Sequence, residues 1–136
     1  MILVDTSVLI DFFKGRENKA TDLFREVLQR QIPFGITPII LQEVLQGAKT
    51  EKEFSTLSEY LVSQKIFYPR DPIQTFSRAA RLYFDCRKKG ITIRSTIDCL
   101  IVQVALEHEL FLLHNDKDFD AIASVVGLCL YKGLSS

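Results

Sequence analysis

Asp5, Glu43, Asp98 and Asp116 are the residues through which this chain could do chemistry. Each is a carboxylate placed where a strand end or a helix would carry it toward one edge of a fold. Grouped acids of this kind serve general acid–base catalysis or hold a divalent cation. Two carboxylates about 5 Å apart repel by roughly 3 kcal/mol at an effective dielectric near 20, so such a cluster opposes folding until a cation joins it. Mg²⁺, with Mn²⁺ as a substitute, prefers a few carboxylates together with its own waters and a substrate phosphate. One or two such ions could hold a scissile phosphate, activate water for in-line attack and stabilise the leaving oxygen.

Each acid also has a plainer reading. In MILVDTSVLIDFF, Asp5 stands where a strand ends and a helical apolar spacing begins, which suits a helix N-cap, as do Thr6 and Ser7 beside it. Ser95-Thr96-Ile97-Asp98 matches a capping box. Asp116 and Asp118 could cap a short helix, and Glu43, on a flank with Ile39 and Gly47, could be a solvated helix residue. Ser7 and Asn115 are short polar neighbours that could orient water or phosphate, with capping the alternative for Ser7. The conjunction favours chemistry, because capping does not require two strand-end acids and two helix-borne acids at one edge.

The elements that must position these acids can be read from periodicity. Ile2 to Val4, FGIT, KIFYP, FLLHND and LCLY read as short strands. Between them lie helical segments. ENKATDLFREVLQRQ is one, and Pro38 opens another with the stripe Leu41, Val44, Leu45 and Ala48. EKEFSTLSEYLVSQ follows. DPIQTFSRAARLYFDCRKKG carries Phe76, Ala79, Ala80 and Tyr83 on one face, with Arg78, Arg81, Asp85 and Lys88 away from it. IRSTIDCLIVQVALEHEL turns Ile97, Leu100, Ile101, Val104 and Ala105 inward, and DFDAIASVV is short. Strands alternating with helices predict an α/β sandwich around a mostly parallel sheet, where ligands bind beyond the carboxyl ends of the strands.

The 136 residues, 47% hydrophobic, suit one domain over 1–136 with an ordinary core. No apolar run is long enough to span a bilayer and the N-terminus lacks a signal-peptide pattern, so a cytoplasmic protein with no membrane association is expected. Cys86, Cys99 and Cys129 form no CxxC pair and are read as buried reduced thiols. Two histidines, His108 and His114, are too few for an ordinary zinc site, so any metal is held by oxygen.

The formal net charge is zero, yet residues 70–94 carry +5 and the remainder from Ser95 carries −4. The basic stretch reads either as a solvated helix face or as a polyanion track leading to a metal site, with Arg78, Arg81 and Lys88 as the candidates to carry that polyanion.

Three stretches in series, LVDTSVLIDFF, PIILQEVLQGA and STIDCLIVQVALEHELFLLHNDKDFDAIA, resemble the PIN-domain ribonucleases, most closely the VapC toxins of VapBC toxin–antitoxin pairs. The resemblance covers almost the whole chain. It implies a PIN-like three-layer sandwich, with a central mostly parallel sheet flanked by helices. It also implies a metal-dependent endoribonuclease whose pocket is built from Asp5, Glu43, Asp98 and Asp116. Asp118 matches a further acidic position that reaches the metal in some relatives, making Asp5, Asp98, Asp116 and Asp118 the implied ligands. A homodimer, a structured RNA target such as tRNA or ribosomal RNA, and a VapB-like antitoxin that blocks the pocket are implied as well. His114 departs from the pattern, which usually has Thr or Ser there; it could donate to phosphate or simply end the strand.

Two other enzyme classes fail on residues. A receiver domain needs an early acid pair and a mid-chain strand-end Asp, and a haloacid-dehalogenase-like phosphatase needs an Asp where this chain has Ser7. A catalytically silent PIN-like module that binds RNA or an antitoxin is the remaining alternative. The full acidic set argues against it.

Overall fold

The computed structural model describes residues 1–134. Its sheet has five parallel strands, β1 (Ile2–Val4), β2 (Phe34–Ile36), β3 (Lys65–Ile66), β4 (Phe111–Leu113) and β5 (Cys129–Leu130), in the spatial order β3-β2-β1-β4-β5. Strands covered on both faces need no polar alternation. Accordingly Ile2, Leu3 and Val4 are all buried. Leu3 pairs with Gly35 on one side and Leu112 on the other. Gly35 is required by close approach: a Cβ there would lie 2.5 Å from both the Lys65 carbonyl and the Phe67 ring.

The helices are α1 (Thr6–Phe13), α2 (Lys19–Gln29), α3 (Pro38–Leu45), α4 (Glu51–Val62), α5 (Pro72–Lys88), α6 (Thr96–Glu107) and α7 (Lys117–Ala123). From β1 the chain steps through β2 to β3 in one direction, whereas β4 leads to β5 in the other. Right-handed crossovers then put α1 to α4 on one face and α5 to α7 on the opposite one. The packing agrees, with α1 against α2 and α3, α3 against α4, and α6 against α5 and α7. The result is the expected three-layer α/β sandwich. Between β1 and β4 the chain leaves adjacent strands in opposite directions, which opens a crevice at their carboxyl ends.

The inward face of α5 differs from the one periodicity suggests. Thr75, Ala79, Leu82 and Cys86 are buried, while Phe76 and Ala80 are exposed and Tyr83 is half-buried. The helix carries two overlapping stripes that share Ala79, and the inward one begins at a polar residue. Thr75 is tolerated there because its hydroxyl donates to Glu107 of α6 at 2.9 Å, and Glu107 also accepts the Arg70 N–H at 2.9 Å. In α6, Cys99, Val102 and Gln103 join Ile101, Val104 and Ala105 in the interior, leaving Ile97 and Leu100 half-buried toward α5. Ile40 and Val44 are the buried residues of α3, with Leu41, Leu45 and Ala48 only half-buried.

Smaller corrections concern ends and thiols. β3 and β5 are two residues each, shorter than KIFYP and LCLY, because an edge strand pairs on one side only. Cys86 and Cys99 are buried free thiols as expected, but Cys129 is exposed on β5. No described helix is long and apolar enough to cross a membrane.

Candidate metal centre at the carboxyl edge of the sheet

Asp5 is both a cap and a member of the crevice. Its backbone N–H donates to the Leu113 carbonyl at 2.9 Å, fastening the end of β1 to the end of β4. Its Oδ2 accepts the Ser7 N–H at 3.0 Å, closing the first turn of α1, and the Ser7 hydroxyl at 2.6 Å. Burial pushes the Asp5 carboxyl above its ordinary range, the Ser7 hydrogen bonds oppose that shift, and the charge of Glu43 adds to it.

Asp98 enters from the first turn of α6, but not in a capping box. Ser95 accepts from the Ile97 N–H at 3.2 Å, and the Asp98 carboxylate turns into the crevice instead of back to its own cap. Among the described residues nothing donates to that carboxylate, although it is buried. Burial first, then the charges of Asp5, Asp116, Asp118 and Glu43, push its carboxyl up to about 7. A carboxyl raised that far reflects burial together with crowding by like charges.

Asp116 caps α7 by accepting the Asp118 N–H at 2.9 Å. Asp118 follows on the same helix, nearly buried. Carboxylate oxygens of Asp98, Asp116 and Asp118 all lie within 4.8 Å of one another. Glu43 reaches the same cleft from α3, where the Thr6 hydroxyl donates to its Oε1 at 2.7 Å. The open cleft, about 420 Å³, is lined by Asp5, Thr6, Ser7, Glu43, Arg94, Ser95, Asp98, Asp116 and Asp118. The five acids singled out in the sequence therefore converge on one cavity.

Thr6 and Arg94 were not among the residues singled out. Thr6 hides as a capping candidate, and its real partner is 37 residues away. Arg94 is the lone basic residue lining the cleft. Its Nε lies 3.3 Å from Asp118 Oδ2 and its Nη2 3.4 Å from Asp116 Oδ1, and its backbone N–H donates to Asp118 Oδ2 at 3.2 Å. The only sequence signal was its position at the end of the basic stretch, four residues before Asp98.

Asn115 lies outside the cleft. Its amide donates to Asp11 Oδ2 at 3.0 Å, and its backbone N–H donates to Ser7 Oγ at 3.0 Å. Asn115 thus holds Ser7 rather than facing the cavity. Burial works against the charge on Asp11, but hydrogen bonds from Arg16, Asn115 and Asn18 together hold its carboxyl below the usual range. His114 also turns away: Nδ1 accepts the Asp116 N–H at 3.0 Å, and the ring packs on Phe119 at 5.1 Å.

Arg78, Arg81 and Lys88 are exposed on α5 and none lines the cleft. Arg81 pairs with Asp85 at 3.0 Å, and Arg81 and Lys88 both approach the exposed Phe84 ring, at 5.2 and 5.5 Å. The basic stretch touches the acidic cleft only through Arg94.

The chain is similar to known proteins over most of its length. The model of the PIN domain matches residues 2–125. VapC ribonuclease Mb1587 of Mycobacterium bovis and Ribonuclease VapC11 of Mycobacterium tuberculosis are each 34% identical over 129 residues, covering 94% of this chain and 96% of theirs. Among solved structures, a toxin–antitoxin complex from Klebsiella pneumoniae matches with a TM-score of 0.66 at 27% identity, over 88% of this chain and 90% of that one. VapBC-1 from nontypeable Haemophilus influenzae matches with a TM-score of 0.73 over 96% and 97% of the two chains, and at 21% identity it speaks for the fold.

Proposed function

The chain belongs to the PIN-domain family, among the VapC ribonucleases, and from that premise we propose that it is a metal-dependent endoribonuclease, the toxin of a VapBC-type pair, that cuts structured RNA such as tRNA or ribosomal RNA. The observation that carries the reading is the convergence on Asp98: its carboxylate has no protein donor among the described residues and faces four further acids, with oxygens of Asp98, Asp116 and Asp118 within 4.8 Å of one another. Mutual repulsion among these acids is costly, and a divalent cation removes it.

The donor set fits such an ion. All donors are carboxylate oxygens, the preference of Mg²⁺ and Mn²⁺ rather than of zinc. Ligand oxygens about 2.1 Å from a common ion sit roughly 3 to 4 Å apart, so oxygens already within 4.8 Å need only small rotations. Asp98, Asp116 and Asp118 would hold it, with Asp5 facing them and keeping Oδ1 uncommitted. When bound, the ion supplies neutralisation of the scissile phosphate and polarisation of water.

The remaining work falls to side chains of the chain itself. Ser7 fixes the direction of Asp5 by donating to one of its oxygens. Thr6 holds Oε1 of Glu43 and leaves Oε2 free to accept a proton from attacking water. The acids on the cleft walls repel phosphate that arrives without a cation, which makes cutting conditional on the metal. A single domain over 1–136, acting in the cytoplasm, completes the reading.

Partners follow from the same premise. A VapB-like antitoxin covering the cleft is supported by the toxin–antitoxin complex among the matched structures. A homodimer is supported by the exposed apolar side chains Ile73, Phe76 and Phe84 along α5. The test is cleavage of a tRNA and ribosomal-RNA panel in Mg²⁺, Mn²⁺ or EDTA, with Asp98→Asn purified in parallel. Discrete cuts by the wild type alone, lost in EDTA, are expected. No cuts, with a metal-dependent rise in melting temperature, would favour a silent binding module.

A further inference from the structure

Three cation-binding carboxylates and one guanidinium share the cleft, and they compete for the same atoms. Arg94 contacts Asp118 Oδ2 and Asp116 Oδ1, two of the three acids whose oxygens cluster within 4.8 Å. It does not contact Asp98, the third. The guanidinium therefore pairs with two of the trio and reaches Asp98 only through its charge.

Both contacts are long, 3.3 and 3.4 Å, and the Arg94 side chain is 73% exposed. Exposed pairs of that length are weak, so they yield to a divalent cation bound by three carboxylates at once. An arginine released at the rim of a cleft remains tethered beside it. Its planar fork matches the two free oxygens of a phosphodiester.

We propose that Arg94 is the cleft's internal counter-ion, competing with the divalent cation for Asp116 and Asp118 and, once displaced, holding the substrate phosphate. This rests on the metal-dependent ribonuclease reading above. It goes beyond that reading by giving one residue opposite effects on two steps. Arg94 resists cation entry and supports the cut that follows.

The sign of the effect separates this role from a merely structural one. If Arg94 only braced Asp118, its loss would loosen a ligand and weaken cation binding. As a competitor, its loss strengthens binding. The experiment is calorimetric titration of the metal-free protein with Mn²⁺, without RNA, for the wild type, Arg94→Ala and Arg94→Lys, followed by cleavage of the tRNA and ribosomal-RNA panel at saturating Mn²⁺.

Arg94→Ala is expected to bind Mn²⁺ about threefold to tenfold more tightly while cutting at least about tenfold more slowly. Arg94→Lys should fall between, keeping the charge and losing the fork. Equal or weaker Mn²⁺ binding by Arg94→Ala overturns the competition. Tighter binding with unchanged cleavage overturns the phosphate role. Absence of Mn²⁺ binding in every variant overturns the metal-centre reading itself, and this inference with it.

Discussion

Ser7 donates its hydroxyl to Asp5 Oδ2 at 2.6 Å while accepting the Asn115 N–H at 3.0 Å. One small side chain thereby links the acid after β1 to the loop after β4. A hydrogen bond to a charged group contributes about 1.5 to 3 kcal/mol, and this one opposes the upward push of burial on the Asp5 carboxyl. Ser7→Ala is expected to raise that carboxyl further, move the acid limb of the pH–rate profile upward and weaken Mn²⁺ binding about tenfold. An unchanged profile would remove Ser7 from the site.

Asp98 makes the cation-free protein pH-sensitive in an unusual direction. Its carboxyl sits at about 7 when folded, against roughly 4 in an unfolded chain. Between those values the folded state holds a proton that the unfolded state has released, so stability falls as pH rises, by an amount that solvent reaching the cleft reduces. Asp5, also raised, pushes the same way. In EDTA the melting temperature is expected to be higher at pH 5 than at pH 8, with Mn²⁺ restoring it at pH 8 and Asp98→Asn flattening the trend. A wild-type melting temperature in EDTA that climbs over that interval would contradict the assignment.

Arg78, Arg81 and Lys88 stand on α5 away from the acids, and Arg81 is partly committed to Asp85. Replacing all three by Ala should weaken RNA binding and lower the slope of log affinity against log salt by up to about 2. Metal binding should not change. An unaltered salt slope would show that RNA does not run along this helix.

Gly35 lies remote from the chemistry and tests the sheet instead. With a Cβ only 2.5 Å from the Lys65 carbonyl and the Phe67 ring, Gly35→Ala must part β2 from β3 or displace the ring. A loss of about 2 kcal/mol or more in urea unfolding is expected. Under conditions where this variant stays folded, its Mn²⁺ affinity should match the wild type.

Asp5, Glu43, Asp98, Asp116 and Asp118 were legible because strand ends and helix starts in a parallel sheet meet at one edge, so position along the chain becomes position in space. Thr6 and Arg94 were not, since each acquires its role from a partner more than twenty residues away. Asn115 misled for a related reason: its neighbour Asp116 lines the cleft, yet its own amide is drawn off by Asp11. On α5 the difficulty was hydropathy itself. Thr75 is buried through a hydroxyl bonded to Glu107, and Phe76 beside it is exposed, the reverse of what polarity suggests.

The pairing of β1 with β4 also sets an order of events during synthesis. Asp5 is made well before the strand to which it is fastened, and well before Asp98, Asp116 and Asp118. A chain still emerging from the ribosome has no trio of acids for a cation to join, and neither does one that terminates early. The acidic centre is therefore complete only after Asp118 has been made and β4 has docked beside β1.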